Sequence, residues 1–532
     1  MKSKFINRHT KENALQEFTA KFGERIQGVV SGFDRLVLRG SLRRLVYGKG
    51  MEEYLWQNNI LFKDYLRHVQ KVSQKVKKAA VAPFVEQKLP VLFLRSGKAD
   101  KEQIAQKIAA DRGISSGDVC ALSSLEPSPT FEHYGVHMKA RTRPCLVIYH
   151  YRIDPEWGWM NARIQTWFPF NIQVCLNGRE WLARQMDREG LQYYRQDNCF
   201  PWLQDYSRAG QLLQDQLKTD WAERLQAIAT RLAPRHEEIF EKYPTSYYWT
   251  CHQCEWATDV GWRSGELKRL EPLLIQHGML SFSSADILRF LGRKIPACGQ
   301  VPVRFAGELT SDWKHRQEGV RIKHRMNSNS LKGYGKAHTP VGDVFRVETT
   351  TNQVGDFRVY RPKQGGPEQE LAWQKMRRGI ADLHRRSEVS QNANDRYLNA
   401  LSQLDDSTRL QELIDPLEQP AQWKGKRVRA LHPFQGDDNL LLKAVNHGEF
   451  VINGLRNRDL QKLLYGQPAP SPQAARKRSA AVSRKLRLLR AHGVIQKVPK
   501  THRYQVTPAG RLAILAVLAA QNASLAQLRI AA

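Results

Sequence analysis

The sequence predicts an α+β protein with an N-terminal mixed domain of antiparallel strands, a helical connector and a small C-terminal helical domain. Alternating apolar and polar residues, typical of strands, recur through the first two thirds of the chain. A break rich in Gly, Pro and Gln follows at 361–370. Residues 427–532 contain 18 Lys and Arg against four Asp and Glu. The predicted domains are 1–365, which can divide into two subdomains near 205–300, then 366–426 and 427–532.

The charge balance predicts a polyanionic partner. The chain has 83 Lys and Arg against 52 Asp and Glu, which is a formal net charge of +31. DNA is the first candidate and RNA the second, because both are dense polyanions that neutralise such an excess. Composition does not indicate an oligomeric state.

An anionic membrane surface is the alternative partner, and two features argue against it. The first residues carry no apolar signal region, and the longest apolar run, 512–520, is too short to span a bilayer as a helix. The seven cysteines are few and scattered, which indicates a reducing compartment. The sequence therefore predicts a cytoplasmic protein without a membrane partner. Cys251 and Cys254 form one CxxC pair, but no second pair follows to complete a zinc site.

Local patterns predict the elements of the N-terminal domain. Residues 145–153 and 159–167 predict a hairpin around an Asp-Pro turn. Asn177 and Gly190 are the expected cap residues of the helix between them. The other predictions are two short strands at 26–40, a buried strand and a helix within 89–113, mainly helical sequence at 209–290, strands at 301–359 and a polar helical segment at 371–417.

Alternating charged residues mark the stretch 321–352. Lys332, Tyr334 and Lys336 occupy alternate positions of one predicted strand, and Arg346 and Glu348 do so in the next. Antiparallel pairing would put all of them on one face, although a slip of one residue would separate them. A tyrosine can attack a phosphate, Lys and Arg can stabilise the developing charge, and a carboxylate can hold a metal ion. The alternative is a tyrosine at a sheet edge and an exposed Arg–Glu pair. The preceding strand offers three more basic residues on one face, namely Arg321, Lys323 and Arg325.

The segments "LKGYGK" and "VFRVETTTN" are similar to the K-x-Y-x-K and L-R-x-E segments of rolling-circle replication initiators of small plasmids and filamentous phages. The resemblance implies that Tyr334 is in the nicking or phosphate-contacting position and that Glu348 is a metal or framework carboxylate. In the chemical interpretation above, Lys332, Lys336 and Arg346 stabilise the developing charge, and the metal ion is Mg²⁺ or Mn²⁺. Gly335 stands where those segments often have Asp or Asn, and the sequence lacks their His-apolar-His motif.

A metal-dependent nuclease needs carboxylates that converge from several elements. Asp34 lies between two predicted strands and is the candidate metal-binding partner of Glu348. Glu180 lies in the first turn of a predicted helix, and Glu255 and Asp259 share a face if their segment is helical. For each of these acids, a helix cap or a solvent-facing side chain is the alternative.

The hairpin segment "WGWMNARIQTWFPF" is rich in aromatic residues. Trp159 and Trp167 share a face by parity, with Arg163 between them. Core packing is the default interpretation, and a stacking platform for unpaired bases is the alternative.

The C-terminal segment 473–508 has the order helix, basic hairpin, helix. Val482, Leu486 and Leu489 predict the buried stripe of the first helix. From about residue 438 the pattern resembles the winged helix-turn-helix family, which implies that this helix enters the major groove of DNA and that the hairpin touches the backbone. The basic residues predicted to contact nucleic acid here are Arg476, Lys477, Arg478, Arg484, Lys485, Arg487, Lys497, Lys500 and Arg503.

Residues 20–360 also resemble a group of uncharacterised bacterial proteins through segments such as "SGFDRLVLRG", "QTWFPFNIQVCLNGREWLARQ" and "EWATDV". Together with the motifs above, this leads us to expect a bacterial DNA-binding protein of a mobile element or replicon that cuts or nicks a DNA strand with metal assistance. Two alternatives stay open. One is a non-catalytic regulatory or architectural DNA-binding protein, and the other is an RNA-binding partner of a structured RNA.

Overall fold

The structure is a computed structural model that describes residues 15–135, 137–280, 282, 284–293, 309–316, 319–363, 370–402, 408–446, 450, 454–498 and 501–522. Its helices are α1 (Gln16–Phe22), α2 (Gly48–Gln57), α3 (Tyr65–Glu86), α4 (Lys101–Asp111), α5 (Gly178–Glu189), α6 (Tyr206–Gln216), α7 (Trp221–Leu232), α8 (His236–Ile239), α9 (Glu266–Leu280), α10 (Ser284–Phe290), α11 (Leu383–Ser402), α12 (Leu410–Glu418), α13 (Gly436–Val445), α14 (Asn457–Tyr465), α15 (Pro472–Ala491) and α16 (Pro508–Asn522). Its strands are β1 (Ile26–Leu42), β2 (Val91–Leu94), β3 (Gly117–Tyr134), β4 (His137–Asp154), β5 (Gly158–Gln165), β6 (Ile172–Asn177), β7 (Tyr193–Gln196), β8 (Cys199–Leu203), β9 (Tyr247–Trp262), β10 (Leu309–Arg316), β11 (Gly319–Met326), β12 (Asn329–Thr339), β13 (Gly342–Thr351), β14 (Arg358–Pro362), β15 (Leu371–Lys375), β16 (Ala421–Trp423), β17 (Lys426–Val428), β18 (Ile495–Lys497) and β19 (Tyr504–Val506).

The chain divides into two compact units, and each is discontinuous in sequence. The larger unit consists of Glu24–Leu267 and Lys336–Asn394, and the smaller consists of Met1–Gly23, Lys268–Gly335 and Asp395–Ala532. In the larger unit the sheet runs in the order β13-β9-β1-β6-β5-β4-β3-β2. Its described neighbours pair antiparallel, apart from the parallel pair β2 and β3. The predicted mixture of helices and mainly antiparallel strands is confirmed.

The prediction of two short strands at 26–40 is wrong, because β1 runs unbroken through Gly32. Gly32 is not a turn residue here. A Cβ at this position would lie 2.6 Å from Leu213 Cδ2, so the glycine allows α6 to approach the strand closely. Gly28 has the same role, since its Cβ would lie 2.3 Å from Tyr206 Cγ.

The mainly helical segment predicted at 209–290 contains a long strand, β9, in its middle. This strand pairs with β1 on one side and with β13 on the other, so sheet pairing overrides the local helical preference. The polar segment predicted as helical from residue 371 begins with β15, which pairs with β14. The predicted buried strand, β2, is an edge strand with Phe93 57% exposed.

Other predicted elements are confirmed. β4 and β5 form the expected hairpin, with Ile153 opposite Trp159. The side chain of Asn177 accepts hydrogen bonds at the start of α5, and Gly190 ends this helix with a φ of 68°. Most aromatic residues of the hairpin segment are core residues, as the default interpretation predicts. Those with at most 2% exposure are Trp157, Phe168 and Phe170.

The C-terminal part of the smaller unit packs its helices around an apolar cluster. Val482, Leu486 and Leu489 of α15 belong to this cluster, as predicted. Two short strands, β18 and β19, follow α15 and form a hairpin, and an isolated bridge joins Leu455 to Tyr504 at its edge. Among the residues that the structure describes, no helix combines the length and the apolarity needed to cross a membrane.

Candidate metal centre

An irregularity in the pairing of β1 and β9 directs the side chain of Asp34 towards that of Glu255. Phe33 lies opposite Trp256, whereas Arg35 lies opposite Glu255. Asp34 is therefore the extra residue of a β-bulge, a feature that re-aims a side chain. The bulge places the Asp34 carboxylate beside that of Glu255.

β9 and β13 supply the other charged groups on this face. Glu255 and Asp259 are four residues apart on β9, which puts them on the same side of a strand. The predicted helix is wrong, yet the shared face exists because four residues are also a multiple of the strand period. Arg346 of β13 lies opposite Asp259, and Glu348 lies opposite Ala257.

Three carboxylates meet at this point. One oxygen each from Asp34, Glu255 and Glu348 can be chosen so that all lie within 4.8 Å of one another. Asp34 is 5% and Glu348 3% exposed, and Glu255 is half-buried. The sequence predicts Asp34 and Glu348 as two ligands of one metal ion, and their carboxylates do lie close together. Glu255 lies beside them.

Arg346 holds the carboxylates of two strands in place. Its Nε and Nη2 donate to the two oxygens of Asp259 at 2.6 and 2.9 Å, and its Nη1 donates to Asp34 Oδ1 at 3.1 Å. Nη2 also donates to the Asn198 carbonyl at 2.6 Å. Arg346 is 1% exposed. The alternative of an exposed pair between Arg346 and Glu348 is wrong, because both side chains are buried.

Two residues that the sequence did not single out complete the framework. Asn198, between β7 and β8, donates from Nδ2 to Asp34 Oδ1 at 2.6 Å. Its own Oδ1 is buried and has no hydrogen-bond partner among the described residues. Arg179, at the start of α5, is fully buried, and its Nη2 lies 3.0 Å from Asp259 Oδ2. No local pattern marks either residue, since each acts through contacts that only the fold creates.

The two aspartates have opposite electrostatic environments. Burial raises the pKa of Asp34; Arg346 opposes this effect, and the nearby Glu348 carboxylate adds to it. Burial also works against ionisation of Asp259, but Arg179 and Arg346 outweigh it and hold the pKa of Asp259 below its usual value. Asp259 is thus a structural anion, whereas Asp34 lies in a site where a further cation would stabilise its charge.

A cleft of about 330 Å³ opens at the carboxylate cluster. Its wall carries an exposed arginine, Arg35, and a tryptophan, Trp159, that is only partly buried. Trp159 Nε1 donates a hydrogen bond to Glu102 Oε1. The cleft-lining residues that matter for chemistry are Asp34, Arg35, Glu102, Trp159, Asn198 and Glu255.

Glu102 is a third carboxylate that lines the cleft, beside Asp34 and Glu255, and no sequence pattern marks it. Burial raises the pKa of Glu102, although the Trp159 hydrogen bond and the charge of Arg35 oppose the effect. A carboxyl group with a raised pKa in a cleft is a candidate for proton transfer.

The cluster fits a small divalent cation. Two oxygens on opposite sides of a Mg²⁺ ion lie about 4.2 Å apart, and the three carboxylate oxygens, which lie within 4.8 Å of one another, are close to this spacing. Carboxylate oxygens are the donors that Mg²⁺ and Mn²⁺ prefer. The buried Oδ1 of Asn198, a residue that lines the same cleft, is a further candidate oxygen ligand, since it has no hydrogen-bond partner within the described part of the chain.

The other predicted residues lie in different places. Lys336 is close enough to Asp259 to contribute to its lowered pKa. Tyr334 and Lys332 belong to the smaller unit, where Tyr334 lies opposite Arg321. Glu180 is not part of the cluster and forms an ion pair with Arg195.

The predicted basic strand face exists in the smaller unit. Lys323 lies opposite Lys332, and Ile322 and His324 on the other face are each 1% exposed. Arg325 is exposed at the end of β11, whereas Lys332 is buried. The alternation predicted for Arg321, Lys323 and Arg325 is confirmed.

The basic residues predicted on α15 fall into two groups. Arg478 donates to the Gln467 carbonyl at 2.7 Å, and Lys485 Nζ lies 3.0 Å from Asp437 Oδ2. Four others are exposed, namely Arg476, Lys477, Arg484 and Arg487. The helical period puts these four within an arc of about 100°, opposite the buried stripe. In the hairpin Lys497 is exposed and Arg503 is half-buried, while Lys500 lies outside the described residues.

Comparisons of this chain with family models, with curated proteins and with solved structures give no match.

Proposed function

We propose that this protein binds DNA through its C-terminal helices and hairpin and cuts a DNA strand, with Mg²⁺ or Mn²⁺, at the cluster of Asp34, Glu255 and Glu348. The observation that carries the proposal is the convergence of these carboxylates from three adjacent strands at one end of an open cleft. Converging carboxylates are the usual means by which nucleases hold their metal ions.

Each part of the cleft has a role in this proposal. Arg346 and Asn198 orient Asp34, so that its position does not depend on the ion. Arg35 offers positive charge to a phosphate at the wall of the cleft, and Glu102 can donate or accept a proton. A bound divalent cation would polarise a phosphate oxygen and lower the pKa of a bound water.

The C-terminal elements support DNA as the partner. α13, α14 and α15 followed by the β18–β19 hairpin have the order of a winged helix-turn-helix domain, and the Leu455–Tyr504 bridge lies where that domain has its third strand. The exposed basic arc of α15 would face the major groove and its phosphates.

The attacking group remains a prediction. The resemblance to rolling-circle initiators predicts attack by Tyr334, which would leave a covalent protein–DNA adduct. Water is the other possible nucleophile, since the carboxylate cluster and Glu102 belong together to the larger unit and Tyr334 belongs to the smaller. An SDS-resistant adduct that disappears in Tyr334→Phe would assign the tyrosine.

The decisive experiment compares strand cleavage by the parent protein and by Glu348→Gln. Supercoiled and single-stranded DNA are incubated with EDTA, Mg²⁺ or Mn²⁺, and nicks are quantified on denaturing gels. We expect metal-dependent nicks from the parent and at least about a hundredfold slower nicking by the variant, because a lost metal ligand removes much of the transition-state stabilisation. Mn²⁺ binding, followed by electron paramagnetic resonance, should weaken in parallel.

The control is Glu241→Gln, which removes an exposed glutamate of the same unit outside the cluster. It should nick as the parent does. Metal-independent binding without nicks would instead support the non-catalytic DNA-binding alternative. Co-purification of one RNA species that survives DNase would support the RNA-binding alternative.

A further inference from the structure

The β14–β15 hairpin of the larger unit exposes two aromatic rings side by side. Tyr360 lies directly opposite Trp373, and the ring centroids are 5.7 Å apart. Tyr360 is 54% and Trp373 62% exposed. A single exposed aromatic residue is common on protein surfaces, but two adjacent exposed rings form a contiguous apolar patch, which is a candidate contact surface for a ligand.

The next pair on the same face of the hairpin, two residues away along each strand, carries two positive charges. Arg358 lies directly opposite Lys375, and both are exposed. Like charges at directly opposite positions destabilise a hairpin. Neither side chain has an ion-pair partner in the part of the chain that the structure describes, in contrast to Lys363, whose Nζ lies 3.3 Å from Glu370 Oε1. An anionic ligand would relieve the repulsion between Arg358 and Lys375.

The opposite side of the hairpin is anchored. Val359 is 6% exposed, and Arg361 Nη2 donates to the Lys375 carbonyl at 3.0 Å. The backbone N–H of Met376 donates to the Phe357 carbonyl at 3.1 Å, and both of those side chains are buried. The exposed aromatic pair therefore stands on a fixed support and not on a frayed end.

We propose that this hairpin is a binding site for an unpaired nucleic-acid strand. Bases stack on Tyr360 and Trp373, and adjacent phosphates contact Arg358 and Lys375. A duplex does not fit this arrangement, because the faces of its bases are already stacked on one another and only the base edges are accessible in the grooves. The inference takes from the proposed function only the class of ligand; it requires neither cleavage nor a metal ion.

The test is the affinity of the full chain for a fluorescent oligothymidylate, measured by anisotropy in EDTA. We expect Trp373→Ala to bind about tenfold or more weakly, in line with the loss of one stacked base. Trp373→Phe should restore most of the affinity, since it keeps an aromatic face. Trp56→Ala is the matched control. Trp56 is 78% exposed on α2 of the same unit but lies outside the hairpin, so this change should leave the affinity for oligothymidylate unchanged.

A second variant tests the charges. Arg358→Ala with Lys375→Ala should weaken binding and reduce the slope of log affinity against log salt by about 1.4, the value for two single-strand phosphate contacts. Duplex DNA of the same length should bind all these variants as it binds the parent. The proposal is overturned if Trp373→Ala binds oligothymidylate as the parent does, or if duplex binding falls equally.

The experiments distinguish failure of the hairpin binding site from failure of the proposed nuclease function. Binding in EDTA is measured without cleavage, and the Glu348→Gln protein should retain it in full. A protein that nicks DNA but shows no effect of Trp373→Ala would refute only the hairpin site. A protein that binds oligothymidylate through Trp373 but never nicks would refute only the nuclease.

Discussion

A single buried guanidinium, that of Arg346, positions two carboxylates at once. It bridges Asp259 and Asp34, and it has no solvent contact that could replace them. Burying a charge costs free energy unless the charge is paired and hydrogen-bonded. Arg346, Asp34 and Asp259 therefore stabilise one another only when all three are present. Arg346 is therefore a positioning residue: it affects the carboxylate cluster by holding Asp34 in place.

Arg346→Met should therefore lower the free energy of unfolding by about 3–5 kcal/mol, because it leaves buried carboxylates without their cation. Denaturant unfolding followed by tryptophan fluorescence measures the loss. Adding Asp259→Asn to Arg346→Met should recover part of it, since one of the stranded charges is then removed.

Arg67→Met is the control for this change, since the Arg67 side chain is 89% exposed. It should alter the free energy of unfolding by no more than about 0.5 kcal/mol. Equal losses in the two variants would contradict the role assigned to Arg346.

At the scale of elements, the start of α13 depends on one ion pair, in which the carboxylate of Asp438 is buried and the side chain of Arg429 is 56% exposed. Arg429 donates to the two oxygens of Asp438 at 2.7 and 2.8 Å, and the backbone N–H of His432 donates to Oδ2 at 3.0 Å. Burial works against ionisation, but these hydrogen bonds outweigh it and hold the pKa of Asp438 below its usual value. Asp438 is 3% exposed.

Asp438→Asn should reduce the local stability of α13 by about 1–3 kcal/mol, the cost of disrupting hydrogen bonds to a buried group. Hydrogen exchange of the Gly436–Val445 peptide measures this. Because the folded pKa is depressed, the stabilisation is fully present above the unfolded value of about 3.9 and is lost as the pH falls through the folded pKa. The difference between parent and variant should thus be constant near neutral pH and shrink in strong acid.

The neighbouring Asp437 offers the matched control. Its side chain is 84% exposed and lies 3.0 Å from Lys485 Nζ. Asp437→Asn should leave exchange of α13 nearly unchanged. If it slows or speeds exchange as much as Asp438→Asn does, the burial of Asp438 is not the reason for its effect.

At the scale of the whole molecule, the excess positive charge is unevenly distributed. Residues 427–532 hold 18 Lys and Arg against four Asp and Glu, so this fifth of the chain carries nearly half of the net +31. α15 presents four exposed basic residues of this region on one arc. Net charge attracts phosphates over a long range, but only basic residues in direct contact with phosphates release counterions and so set the salt dependence of binding.

Replacing Arg476, Lys477, Arg484 and Arg487 with alanine should weaken duplex DNA binding and reduce the salt slope by about 3.6, as expected for four lost phosphate contacts. The control replaces four exposed basic residues of the larger unit, namely Lys63, Arg67, Lys71 and Lys78. This control makes the same change in net charge. An equal reduction in both proteins would mean that net charge, and not the α15 surface, governs binding.

Several residues of the candidate site could be predicted, and the reasons differ. Asp34 and Glu348 were predicted as ligands from their positions beside and within strands, and Glu255 with Asp259 from their spacing. The spacing argument worked although the helix was wrong, since residues four apart share a face in a strand as well. Glu102, Arg179 and Asn198 could not be found, because each comes from a different element and nothing local distinguishes a cleft residue from a surface residue.

The sequence by itself determined the mixed helix and strand composition, the α15 helix with its basic surface and the capped helix α5, because periodicity, capping and charge are local or additive properties. The tertiary structure alone decided three things: the continuity of β1, the strand character of β9, and the meeting of Asp34, Glu255 and Glu348. These depend on pairing between segments more than 200 residues apart and on a bulge at Asp34. Such register is set by the packing of the whole sheet, which no short stretch of sequence contains.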